Sequence, residues 1–153
     1  YMEDSDLGLR GQWAGWRCVY TPRARVRHQY SATAGAYSSM KAYQIERNHV
    51  WVCAKLLPAQ MLPAAAWFTV LRLAMQITGL ISGKGAAARL GESTSKLDMI
   101  TTVLRAYRDA FAGLPWVLRE RRAIRQSRRI SDDEFAALFR RFHLSAKEVA
   151  WSE

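Results

Sequence analysis

Tyr1-Met2-Glu3-Asp4-Ser5-Asp6-Leu7-Gly8-Leu9-Arg10 is followed closely by Gly15-Trp16-Arg17-Cys18-Val19-Tyr20-Thr21-Pro22 and then by His28. Leu7, Leu9, Arg10 and Trp13 fall at helical spacing, so Asp6 to Ala14 reads as a short helix that Gly15 stops. Trp16 to Tyr20 carries β-favouring residues until Pro22 ends the run, and Ala24 to Tyr30 reads as a second extended piece. Ser31 to Gly35 is a loop. Beyond it Met40, Tyr43, Arg47, Val50, Trp51 and Ala54 share one side of a helix that Pro58 would terminate. Read by itself, the acidic cluster is a solvated helix start, with Asp6 suited to the first turn.

The acidic segment together with Leu7, Arg10, Gly15-Trp16, Tyr20, Pro22 and His28 resembles, interval by interval, the segment that ends the catalytic domain of a bacterial family 2 glycosyltransferase. The likeness is to its rhamnosyltransferase-like members, in which a Glu-Arg-Asn triplet, here Glu46-Arg47-Asn48, is common. It covers roughly the first third of the chain. What it implies is the C-terminal part of an α/β GT-A domain, the nucleotide-diphospho-sugar transferase fold, followed by amphipathic helices. The expected fold is therefore mainly α with a few strands, and the expected chain a C-terminal fragment lacking the nucleotide-binding half.

The same resemblance assigns roles. Inverting transfer needs one carboxylate near the acceptor oxygen to take its proton, and Asp4 stands at that position. Glu3 is expected to orient the acceptor or to hold the Asp4 loop. His28 is expected to join an upstream D-x-D in holding a divalent metal, Mn or Mg, on the donor diphosphate; imidazole suits Mn better. The other reading of His28 is a half-buried strand-end histidine bonded to backbone. Arg47 and Lys41, with Arg10, are the acceptor- or phosphate-binding set. Arg47 falls on the apolar side of its helix, where a cation must be paired or meet an anion; Glu46 or an upstream carboxylate is the structural alternative. The Q-x-x-R-W motif of processive relatives is absent, which points to a non-processive enzyme. It would move a sugar from a nucleotide-diphosphate donor to an O-antigen, capsule or other surface-glycan acceptor, lipid-linked or not.

Composition adds a partner. Lys and Arg number 23 against 13 Asp and Glu, a net charge of +10 that favours membrane phosphates, nucleic acid or a phosphorylated ligand. Cys18 and Cys53 have no C-x-x-C spacing, so neither a zinc site nor a disulfide framework is indicated, and a reducing cytoplasm is the simpler reading. Three regions divide the chain at residues 1–54, 55–91 and 92–153.

In the middle region Leu56 to Ile81 approaches spanning length, yet Pro58, Gln60, Pro63, Arg72 and Gln76 interrupt it. A central charge costs at least about 2.5 kcal/mol on insertion scales. An interfacial or re-entrant helix is therefore expected, with Trp67, Phe68, Leu71 and Met75 in lipid and Arg72 snorkelling. The alternative is a pair of helices packed on the catalytic domain.

The last region has Leu97, Ile100, Leu104, Tyr107, Phe111 and Leu114 at helical spacing, broken at Gly113-Leu114-Pro115. Arg119, Arg121, Arg122, Arg125, Arg128 and Arg129 then ring a helix bearing Trp116, Val117, Leu118 and Ile124. Near anionic lipid each cation is worth on the order of 1 kcal/mol. The pattern predicts a peripheral association with the cytoplasmic face of the plasma membrane. Nucleic acid is the lesser outlet, because no zinc spacing, helix-turn-helix or aromatic-interleaved sheet is present. Ser131-Asp132-Asp133-Glu134 is a capping box before Phe135, Leu138, Phe139 and Phe142, and Ser145 to Glu148 repeats it. The competing expectation from another class is a non-enzymatic basic helical module that binds anionic membrane or nucleic acid.

Overall fold

The computed structural model describes residues 1–27 and 37–151. Eight α-helices and one 3-10 turn account for their regular structure: α1 (Glu3–Trp13), α2 (Ser39–Leu56), the turn Ala59–Met61, α3 (Leu62–Ser82), α4 (Gly85–Ser93), α5 (Lys96–Ala112), α6 (Leu114–Gln126), α7 (Asp132–Arg141) and α8 (Ala146–Trp151). No strand occurs among the described residues. This corrects the expected fold: the chain is all-helical there, with no part of an α/β GT-A sheet.

The two extended pieces show why. Residues 16–27 run without regular structure apart from a turn at 22–23, and Val19, Tyr20 and Val26 all point into solvent. β-favouring residues stabilise a strand only by pairing and packing against neighbours, and no neighbouring strand is present among the described residues. The expected second piece reaches beyond residue 27, and His28 and the expected loop at 31–35 lie outside the described residues.

The helices begin and end where short-range chemistry dictates. Three acids, Glu3, Asp4 and Asp6, occupy the first turn of α1 and complement its dipole, so the helix starts earlier than Asp6. The Ser38 hydroxyl accepts from the Lys41 amide at 3.2 Å and caps α2. Ser95 does the same for α5 through the Asp98 amide, at 3.1 Å. Proline sits in the first turn of both α3 and α6, where its missing N–H costs nothing. Ser131 and Glu134 complete the expected capping box of α7.

α2 is the central helix, with α5 along one side and α6 along another. Ala106 and Ala110, both fully buried, let α5 approach closely. Gly113 permits the turn into α6, since a Cβ there would stand 2.6 Å from the Trp51 ring. The main core gathers Trp13, Val52, Leu56, Leu57 and Phe135. Trp13 stacks on Phe135 with ring centroids 4.1 Å apart, and its indole N–H donates to the Leu56 carbonyl at 2.8 Å. Arg121 closes the C-terminus of α2 by donating to the carbonyls of Ala54 and Leu57, at 2.9 and 2.6 Å.

A second group forms where α4 and α8 pack on α3. Trp151 anchors it, its indole N–H donating to the Met75 carbonyl at 3.1 Å. α3 joins the rest of the molecule through Arg72, which is buried against Glu46. The expected snorkelling of Arg72 is therefore corrected: its guanidinium turns inward, toward a carboxylate, because pairing removes the cost of burying it. Of the residues expected to enter lipid, Trp67 and Leu71 are exposed while Phe68 and Met75 are half-buried.

Candidate functional site

Tyr1 and α1 meet α2 and the first turn of α6 around a cleft of about 430 Å³. Glu3, Asp6 and Arg10 line it from α1, Arg47, Asn48, Trp51 and Lys55 from α2, and Trp116 from α6. The α2 contribution follows from helical periodicity, since positions 47, 51 and 55 fall one turn apart on a single face. Asn48 ties the two walls together by donating to the Tyr1 carbonyl at 2.7 Å.

Asp6 is the structural acid of the cleft. It pairs with Arg10 at 2.9 Å on its own helix and with Lys55 across to α2. Arg10 and Lys55 therefore face the cleft already partnered. Arg47 is different: no carboxylate lies within ion-pairing distance among the described residues, and Glu46 turns to Arg72 instead. This overturns the Glu46–Arg47 pairing. Arg47 is held by neutral groups, donating to Gln44 Oε1 at 2.5 Å and to Asn48 Oδ1 at 3.1 Å. Its guanidinium stands over the Trp51 ring, 4.5 Å from the centroid.

Trp51 and Trp116 form an edge-to-face pair, with centroids 5.7 Å apart, that makes the aromatic wall. The Trp51 indole N–H is already spent on the Ala110 carbonyl at 2.9 Å, which fixes the ring beneath Arg47. The arrangement is thus a half-buried, uncompensated guanidinium on an aromatic platform, open to a ligand that carries an anionic group beside an apolar ring face.

Glu3 and Arg47 of the expected set face the same cleft, and Arg10 is its third member. Lys41 stands above the Tyr1 ring at 5.8 Å. Asp4 is exposed on the first turn of α1 and is not part of the cleft lining. One oxygen of Asp4, Oδ1, accepts from the Ser5 amide at 2.7 Å. The Glu3 carboxyl is held below the ordinary range, first by a backbone hydrogen bond at its own position. His28 lies outside the described residues. Among those residues no three His, Cys, Asp or Glu side chains come together to hold a metal.

Sequence reasoning did not single out Lys55, Trp51 and Trp116 as site residues, although the Arg47, Trp51, Lys55 repeat was there to be read. It also passed over a polar cluster between α2 and α3. His49 Nε2 lies 3.0 Å from Thr69 Oγ1 and 3.8 Å from Cys53 Sγ. Burial, and then the Arg72 charge, pulls His49 below its ordinary value, with Glu46 opposing. Burial pushes the Cys53 thiol up to about 11, so it stays protonated and is no nucleophile. No family model, curated protein or solved structure matches this chain.

Proposed function

We propose that this protein acts as a non-processive, inverting glycosyltransferase of family 2 type, moving a sugar from a nucleotide-diphosphate donor to a surface-glycan acceptor. The observation that carries the reading is the meeting of its two family-like segments: the acidic segment and the Glu-Arg-Asn helix line one cleft of carboxylate, guanidinium and indole. An indole accepts the C–H face of a pyranose, and a guanidinium fork accepts phosphate oxygens. Arg47 is the main phosphate contact, with Lys41 over the Tyr1 ring and Arg10 braced on Asp6.

Asp4, exposed on the first turn of α1 next in sequence to the cleft-lining Glu3, is the general base of this reading. Its Oδ2 accepts no hydrogen bond among the described residues, so a lone pair remains for a substrate hydroxyl. In the transfer the acceptor proton passes to this carboxylate while the acceptor oxygen bonds to the anomeric carbon from the far side. The nucleoside diphosphate leaves with the electron pair of the broken glycosidic bond. A divalent cation, Mn or Mg, on the donor diphosphate is part of the proposal, and the described residues form no cluster to hold it.

The test is transfer by the gene product that carries these residues, offered a panel of nucleotide sugars with Mg or Mn, beside Asp4→Asn. Turnover lost in a folded variant supports the reading. Turnover retained in the variant, or absent for every donor in the folded parent protein, would sink it and turn attention to a basic helical binding module.

A further inference from the structure

α3 buries polar groups beside apolar ones on its inward side: Arg72 bonds Glu46 at 2.7 and 2.6 Å, Thr69 meets His49 at 3.0 Å, and Leu62 and Ala65 pack on the main core. The outward side carries Trp67, Val70, Leu71, Ile77 and Ile81, with Trp67 63%, Ile77 61% and Ile81 82% exposed. Large apolar side chains in a contiguous exposed stripe mark a surface that something covers. We propose that this face of α3 rests on an anionic lipid bilayer, with the helix lying in the headgroup plane.

Charge and geometry select the bilayer. Residues 47–91 contain no Asp or Glu, and of their five basic residues Lys84 stands just past the end of α3. Past the C-terminal end of α3, Lys84 and Lys147 stand over the Trp151 ring, at 5.4 and 4.7 Å from its centroid. That ring is fixed to α3 through Met75. Lysines just past the end of an exposed apolar helix face suit the headgroup boundary, where ammonium groups meet phosphate. A second copy on the same face would bring like-charged rims together, which opposes association.

Orientation follows from the buried pair. Residues Ala59–Ser82 are long and apolar enough to cross a bilayer, with a mean hydropathy of 1.4. Crossing would require Arg72 to leave Glu46 or to draw α2 into hydrocarbon, and both options strand buried charge. A helix lying in the interface keeps the pair dry and submerges only the outward stripe. The proposal stands apart from the transferase reading, because it concerns a different face of the molecule and needs no turnover.

The experiment is co-sedimentation of the intact gene product with phosphatidylcholine vesicles, with and without added phosphatidylglycerol. The expected result is binding that phosphatidylglycerol strengthens. Ile77→Ser and Ile81→Ser, both at exposed positions, should each weaken it by roughly tenfold or more. A Lys84→Ser/Lys147→Ser double variant should lose the preference for phosphatidylglycerol, with helical circular dichroism unchanged in every case. Failure of the folded parent protein to sediment with either vesicle overturns the proposal. So does equal binding by the isoleucine variants, or self-association that Ile77→Ser abolishes without any vesicle binding.

Discussion

Glu46 and Arg72 form a bidentate ion pair, with oxygen–nitrogen distances of 2.7 and 2.6 Å, in which the side chains are 6% and 8% exposed. Tyr107 completes the site by donating to Glu46 Oε2 at 3.1 Å, so α2, α3 and α5 are tied at one point. Burial opposes the Arg72 charge, yet the hydrogen bonds and charge of Glu46 hold its pKa above the ordinary value. Removing one partner leaves the other charge buried and unpaired. Arg72→Met is expected to cost about 3–5 kcal/mol of stability, whereas Glu46→Leu/Arg72→Met together should lie much closer to the parent protein. Urea unfolding of the three variants checks this, and equal losses for the single and double variants would refute it.

The stacked pair Trp13 and Phe135 is the second fixed point, because it joins α1 and α7 over the end of α2. Phe135 is fully buried, so no rearrangement of surface residues can fill its place. Phe135→Ala should cost about 3–5 kcal/mol, read as a lower midpoint in thermal or denaturant unfolding. A loss below about 1 kcal/mol would mean that the core collapses around the missing ring far better than typical interiors do.

Much of the helix punctuation was legible in the sequence because it rests on contacts between near neighbours. The Ser131–Glu134 box, the break at Gly113-Leu114-Pro115 and the stop after α2 are of this kind. The all-helical outcome was not legible at residues 16–27. β-favouring side chains there mark only a capacity to pair, and pairing depends on chain that is distant in sequence. The fate of the arginines was equally hidden. Arg121 caps α2 and Arg125 and Arg128 converge on Asp132, at 2.5 Å in each ion pair, so part of the basic run is structural rather than a free cationic face. Glu46 and Arg72 lie 26 residues apart. Their pairing follows from packing α3 across α2, which no local pattern encodes.

His49 makes stability depend on pH. Its folded pKa lies below its unfolded value of about 6.5, so the unfolded chain takes up a proton first as the solution is acidified. The contribution is therefore complete above about pH 6.5 and is lost as the pH falls toward the folded value. His49→Gln should flatten that part of the stability profile while keeping a partner for Thr69. An unchanged slope in the variant would assign the acid sensitivity to other groups.

The two thiols should separate kinetically. Cys18 is exposed, whereas Cys53 is half-buried beside His49 with its thiol pushed up to about 11. The thiolate is the reactive form. Iodoacetamide at neutral pH should label Cys18 and spare Cys53 until denaturant is added, as peptide mass mapping would reveal. Rapid labelling of Cys53 in the folded protein would show that the contact between α2 and α3 opens readily.

Arg47 is the sharpest probe of the cleft because its charge meets no carboxylate among the described residues and its position is set by Trp51, Gln44 and Asn48. If that charge binds a substrate phosphate, Arg47→Ala should lower kcat/KM for transfer by about 10- to 100-fold, the scale of one charge-assisted hydrogen bond. Arg47→Lys should recover little, since an ammonium cannot reproduce the guanidinium contact with Trp51 or a two-point contact with phosphate oxygens. Sugar phosphate binding, followed by indole fluorescence, should weaken in step with kcat/KM, because Trp51 lies under the same guanidinium. A variant with unaltered kinetics and binding would instead assign Arg47 to holding Gln44 and Asn48 in place, and the phosphate would have to be met elsewhere.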